Sequence, residues 1–162
     1  MYSRRVEDLV VEWGQERPDL DRSSMAVIGR IERLAELLDD VFTPTLRRFG
    51  ITRADFDVLA TLRRSGKPYR LTPTALSRAM MISSGGTTKR LDRLEARGLL
   101  ARAADPHDRR GVVVSLTQKG MRLVDDAVEA HVADERRVLA PLRPADRKTL
   151  ARLLDSLLEP LE

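Results

Sequence analysis

The stretch TPTALSRAMMISSGGTTKRLDRLEARGLLARAADPHDRRGVVVSLT, residues 72–117, decides the fold. Thr72 is a good N-cap and Pro73 takes the favoured first helical position, so a brief helix holding Leu76, Ala79 and Met80 is expected. A turn at Met81-Ile82-Ser83 follows, and Ser84 caps a second helix that runs through Leu91 and Leu94 to Arg97-Gly98. The apolar period then changes. Leu99–Ala103 reads as a strand, Asp105–Gly111 as a polar turn and Val112–Leu116 as the returning strand of a hairpin. Two short helices with a tight turn, then a hairpin, predict a winged helix-turn-helix.

At about 100° per residue, Leu91 and Leu94 define the inward stripe of the second helix, and Gly85, Gly86, Lys89 and Arg93 fall roughly opposite. Inside an ordinary helix each glycine costs about 1 kcal/mol relative to Ala. At a helix N-terminus they let a phosphate or base edge approach the backbone, although a plain helix cap would use the same residues. Ser84, Gly86, Thr88, Lys89 and Arg93 are therefore the candidate DNA contacts of this helix. Arg109 and Arg110 at the hairpin tip suit the negative potential of a narrow minor groove, with Asp108 placed to orient Arg110. A merely solvated turn is the alternative there.

Charge distribution points the same way. Between Arg63 and Arg110 stand 12 Lys/Arg against 4 Asp/Glu, leaving 17 against 21 elsewhere in a chain whose net charge is only +4. A basic middle between acidic ends suits a polyanion, with nucleic acid the leading candidate.

Outward from this region, Thr52-Arg-Ala-Asp55 has the form of a capping box opening a helix with Phe56, Leu59 and Leu62, which closes at Ser65-Gly66. Before it, a helix with Val6, Leu9, Val10 and Trp13 on one face stops at Gly14–Pro18. A long helix after Ser23 or Ser24 carries Ile28, Ile31, Leu34, Leu38 and Leu46, should bend or break at Pro44, and ends at Gly50. After the hairpin, Thr117 caps a long helix with Met121, Val124, Val128 and Val132. A last helix carries Leu150, Leu153, Leu154, Leu157, Leu158 and Leu161, a stripe that must pack on something, with a second subunit the leading candidate. The chain divides accordingly into N-terminal helices (1–50), a winged DNA-binding domain (51–116) and C-terminal helices (117–162).

The 162 residues are 42% hydrophobic and 33% charged, which fits a folded chain with long solvated helices. With no cysteine, disulfide scaffolds and thiolate chemistry are excluded. No apolar run reaches signal-peptide or membrane-span length, so a cytoplasmic location is expected. Catalysis is not expected, nor a cofactor or metal. The only histidines, His107 and His131, lie apart on the wing and a long helix, and no nucleophile triad, phosphate loop or ligand cluster stands beside them. His107 reads as a turn residue or phosphate contact. His131 reads as an interface or cavity histidine with scope for a pH-sensitive role.

The three motifs in order, Thr72–Ser77, Ser83–Glu95 and Asp105–Thr117, resemble the MarR (multiple antibiotic resistance regulator) family over roughly residues 24–160. The resemblance implies a homodimeric transcription regulator clasped by its terminal helices, each winged domain reading half of a pseudo-palindromic operator. Arg143 stands where the family often has Ser or Thr before the Pro that opens the last helix, a weak cap. The leading helix with its Trp, followed by Glu16-Arg-Pro-Asp-Leu-Asp21, is similar to the urate-responsive branch, whose ligand residues match Trp13, Asp57, Arg64 and Arg90. A ligand-responsive regulator, a repressor released from DNA by a small anion such as urate or another aromatic acid, is what that implies. Each of the four also has an ordinary reading: Trp13 as a helix anchor, Asp57 and Arg64 as solvent-face charges, Arg90 as a phosphate contact. The competing function is a non-specific architectural DNA-binding protein without ligand control.

Overall fold

Seven helices and three short strands make up the computed structural model, which describes residues 5–80, 86–106 and 108–161. Two compact units divide between Pro44 and Thr45. In the first, α1 (Val6–Glu16) and the opening turns of α2 (Ser23–Arg48) form a helical pair. α1 ends at Glu16, within the expected Gly14–Pro18 stop, and the missing side chain of Gly14 leaves room for the Arg22 guanidinium, whose Nη1 lies 1.4 Å from where a Cβ would stand. By contrast with the expectation, α2 is not broken at Pro44 and continues to Arg48. The cost of that proline inside the helix is one lost backbone donor.

The second unit holds α3 (Arg53–Arg64), β1 (Arg70–Leu71), α4 (Pro73–Ala79), α5 (Thr87–Ala96), β2 (Leu100–Asp105), β3 (Asp108–Leu116), α6 (Gln118–Val138) and α7 (Pro144–Leu158). Side-chain caps start three of these helices. Thr52 Oγ1 accepts from the Asp55 N–H, Thr72 Oγ1 from the Ala75 N–H and Thr117 Oγ1 from the Gly120 N–H. Each satisfies an end donor that has no partner within the helix. α7 opens on Arg143, which caps with no side-chain bond, as its residue type foretold.

The wing is longer than the expected hairpin. β2 pairs antiparallel with β3 from Leu100↔Leu116 to Asp105↔Asp108, the last step across an irregularity after Ala104. The ladder therefore continues through most of the polar segment. A third strand is added on the other side, β1 joining β3 at Arg70↔Ser115 and Leu71↔Val114, so the order is β1-β3-β2.

The core is aliphatic. Leu59 and Leu62 of α3, Leu76 of α4, Leu91 and Leu94 of α5, Leu99 and Leu100 entering β2, Val114 of β3 and Val124 of α6 form one buried cluster. With so few aromatic residues, leucine fills the space between the helix-turn-helix, the sheet and α6. α7 and the turn after it contribute nothing to it: Leu150, Leu153, Leu154, Leu157 and Leu158 of the helix remain 38–50% exposed, and Leu161 beyond it 83%. No helix among the described residues is long and apolar enough to cross a membrane.

Candidate nucleic-acid interface

α4 and α5 are the two helices of the expected helix-turn-helix. Helix α5 begins at Thr87, not after Ser84, and its N-cap is Gly86 in the left-handed conformation, φ 78°. Glycine adopts that conformation without the strain a side chain would bring. Having no side chain, Gly86 makes no side-chain cap bond to this end of α5. The first turn of α5 is the positive end of the helix dipole, where an anion is favoured. A groove of about 660 Å³ opens beside it, with Thr74 and Ser77 of α4 on one wall and Thr87, Thr88 and Lys89 on the other. Hydroxyls and an ammonium group together fit phosphate oxygens.

Thr88 and Lys89 are exposed, as expected of contacts on this face. Among the described residues Lys89 has no hydrogen bond or ion pair. Arg93, one turn further on, is tied to Asp55 of α3 by an ion pair. Ser84 lies outside the described residues, as do Gly85 and His107. Arg109 and Arg110 belong to β3, but their side chains are also outside what is described.

Two anchoring contacts were not foreseen from the sequence. The Arg102 backbone N–H donates to Glu95 Oε1 at 3.0 Å, while its guanidinium reaches Glu95 Oε2 at 2.5 Å and Asp92 Oδ1 at 2.7 Å. A strand of the wing is thereby held to one flank of α5. The other is the contact of Arg93 with Asp55, the capping-box carboxylate, only 2% exposed. Burial pushes its carboxyl up, but the Thr52 backbone N–H, the Arg93 guanidinium and the Thr52 hydroxyl outweigh it and hold the group below the usual carboxylate range. Nothing but an unspecialised Thr-x-x-Asp spacing announced this carboxylate, and its partner lies 38 residues away.

The residues matched to a ligand are not all placed as expected. Asp57 and Arg64, two turns apart on α3, do not share a solvent face. Asp57 is 7% exposed, because α3 is buried around most of its circumference, whereas Arg64 is exposed and donates to the Ala79 carbonyl at the end of α4. Arg90 is half-buried on the flank of α5. Trp13 belongs to the first unit, where it is 50% exposed and lines a groove of about 440 Å³ between α1 and α2 with Leu9, Ile28 and Glu32. His131 packs on Phe56 with ring centroids 4.9 Å apart, and its Nε2 stands 3.4 Å from Glu135 Oε1.

Comparison with known proteins places this arrangement. The MarR family model matches residues 49–111, the span from the end of α2 into the wing. Over 149 residues the chain is 41% identical to the HTH-type transcriptional regulator PecS of Dickeya dadantii (strain 3937), covering 92% of this chain and 90% of that protein. The structure of Sco3205, a MarR family transcriptional regulator from Streptomyces coelicolor in complex with DNA, matches with a TM-score of 0.79 at 27% identity, covering 88% of this chain and 94% of that one. BpsR of Bordetella bronchiseptica, whose DNA binding is regulated by 6-hydroxynicotinic acid, matches with a TM-score of 0.70 at 30% identity, covering 81% of this chain and 97% of that one. Agreement of that extent, across the reading helix, the wing and the flanking helices alike, makes this chain a member of the MarR family, DNA-binding transcription regulators rather than enzymes.

Proposed function

We infer that the chain works as a homodimeric repressor that binds a pseudo-palindromic operator and is released from it by a small planar anion. The groove at the start of α5, walled by the hydroxyls of Thr74, Ser77, Thr87 and Thr88 and the Lys89 ammonium at the positive end of the helix dipole, is the observation that carries the DNA half of this reading. Gly86, Thr88, Lys89 and Arg93 form the α5 face toward the major groove, with Ser84 ahead of it. Arg109 and Arg110 extend it from the wing toward the minor groove. The dimer is supported by the leucines of α7, which lie in water in the single chain. An isologous pairing of the terminal helices covers such a stripe and sets two reading helices about 34 Å apart, one turn of the duplex.

For the effector, Arg64 and Arg90 supply guanidiniums suited to a carboxylate or enolate, and Asp57 an acceptor for ring N–H groups. The regulation of BpsR by 6-hydroxynicotinic acid favours this class of ligand. An anion that pairs with Arg90 on the reading helix acts by binding the DNA-incompetent arrangement more tightly, which shifts the population away from the operator.

Footprinting on DNA flanking its own gene tests the reading. One short inverted repeat is expected to be protected, whereas continuous coating marks an architectural protein. Lys89→Ala is expected to weaken binding and flatten the slope of log K against log salt by about 1. Urate, salicylate and citrate titrations then test release. Arg90→Ala loses the response if the effector assignment holds, and retains it if that assignment is wrong. Trp13→Phe tests the indole that the family resemblance adds.

A further inference from the structure

We propose that Arg93 is a positioning residue of the reading helix rather than one of its DNA contacts, acting through the buried carboxylate of Asp55. The inference rests on the DNA-binding reading above and refines one residue of it. Asp55 sits in the first turn of α3 with Oδ2 accepting the Thr52 N–H at 3.0 Å, and its other oxygen, Oδ1, accepts Arg93 Nη2. A carboxylate so far from water needs its counter-charge, since removing one partner of a buried pair leaves the other charged and unsolvated. For Arg93 to swing its whole guanidinium to a phosphate it must leave Asp55 in that state, and while paired its Nη2 is held at α3. Lys89, four residues earlier and facing solvent, has no such commitment.

The opposite flank of α5 is held in the same way. Asp92 and Glu95 are both bonded to Arg102 of β2. At about 100° per residue, Arg93 and the Asp92/Glu95 pair lie on either side of Lys89. The middle of the helix is thus gripped from α3 on one side and from the wing on the other. What remains for reading the duplex is the first turn and Lys89. The Asp55–Arg93 pair sets the angle at which that turn is presented.

The test uses the full-length protein and a duplex enriched from a random-sequence library by the wild-type chain. Affinity is measured across a salt series, well below each variant's melting temperature, for Arg93→Ala, Arg93→Lys, Asp55→Asn and the Asp55→Asn/Arg93→Ala double variant. Either single truncation is expected to weaken the enriched duplex about tenfold, a middle value for residues in contact, with the double variant no worse than either. The salt slope should stay at the wild-type value, and Arg93→Lys should recover part of the loss by restoring the charge. A slope flattened by about 0.9 in Arg93→Ala, with Asp55→Asn binding normally, makes Arg93 a phosphate contact and overturns the proposal. So does a lowered melting temperature with unchanged affinity, which marks a purely structural pair. Should the wild type enrich no duplex at all, the DNA-binding reading itself falls, and that outcome is distinct from both.

Discussion

α5 and α7 are built to similar recipes and end in opposite circumstances. On α5, Leu91 and Leu94 are spaced to share a face, and both are buried beneath the reading surface. On α7 the same kind of spacing puts Leu150, Leu153, Leu154, Leu157 and Leu158 along one helix, and none is buried. The difference lies in what each helix meets. The leucines of α5 share one buried cluster with those of α3, α4 and the sheet, whereas no residue of α7 joins that cluster among the described residues. Covering a Leu side chain stabilises by roughly 1.5–3 kcal/mol, so five of them in water favour any arrangement that hides them. The winged region is a finished core, and α7 carries an apolar stripe left exposed.

The same truncation in both places breaks or sharpens that contrast. Leu94→Ala is expected to cost about 2–5 kcal/mol in unfolding free energy, independent of protein concentration, because the cavity forms inside one chain. Leu154→Ala should leave the winged region intact and make the melting temperature depend more steeply on concentration, as loss of association does. Sedimentation of the wild type at 18.3 kDa, with Leu154→Ala melting like wild type at every concentration, would show that α7 has no partner.

The next largest effect concerns a contact no sequence pattern marks. Gly120, in the first turn of α6, faces the backbone of Leu99, and a Cβ there would stand 1.8 Å from the Leu99 carbonyl oxygen. Gly120→Ala therefore forces α6 away from the start of β2 and is expected to cost about 1–3 kcal/mol by chemical denaturation, with the enriched duplex bound more weakly. Local features were legible because they are made between neighbours: the Thr52, Thr72 and Thr117 caps bond three residues ahead, and the strand period changes within a few positions. The start of α5 was misread because serine is the commoner cap, and nothing local shows that Gly86 takes the left-handed backbone. The pairing of β1 with β3 depends on residues more than forty positions away, which no local pattern announces. At the candidate site, Thr88 and Lys89 were legible from helical spacing. The Asp55–Arg93 pair, the Arg102 clamp and the burial of Asp57 were not, because each is decided by what packs alongside.

Asp55 also provides a pH test within the finished region. Its carboxyl is held below the ordinary value of 3.8, so its contribution is fully present above that value and is lost as pH falls through the lower folded value. Asp55→Asn is therefore expected to be less stable than wild type at neutral pH, with the gap narrowing as the solution is acidified below about pH 4. A stability difference constant down to the acid transition would mean the carboxylate gains nothing from Thr52 and Arg93.

The smallest effect returns to the two regions through their helix starts. Thr72 caps α4 with a side-chain bond to the Ala75 amide, and Thr72→Ala is expected to cost about 1 kcal/mol. Arg143 offers α7 no such bond, its guanidinium instead holding Asp146 at 2.7 Å. That exposed pair contributes little. Arg143→Ser exchanges it for a capping hydroxyl and should raise stability by about 0.5 kcal/mol. A gain that grows with protein concentration would place α7 in the cooperative unit of an assembly, because a helix that folds only against a partner passes its own stabilisation on to association. A concentration-independent gain would mean α7 folds on its own chain, and the contrast with α5 would then rest on exposure alone.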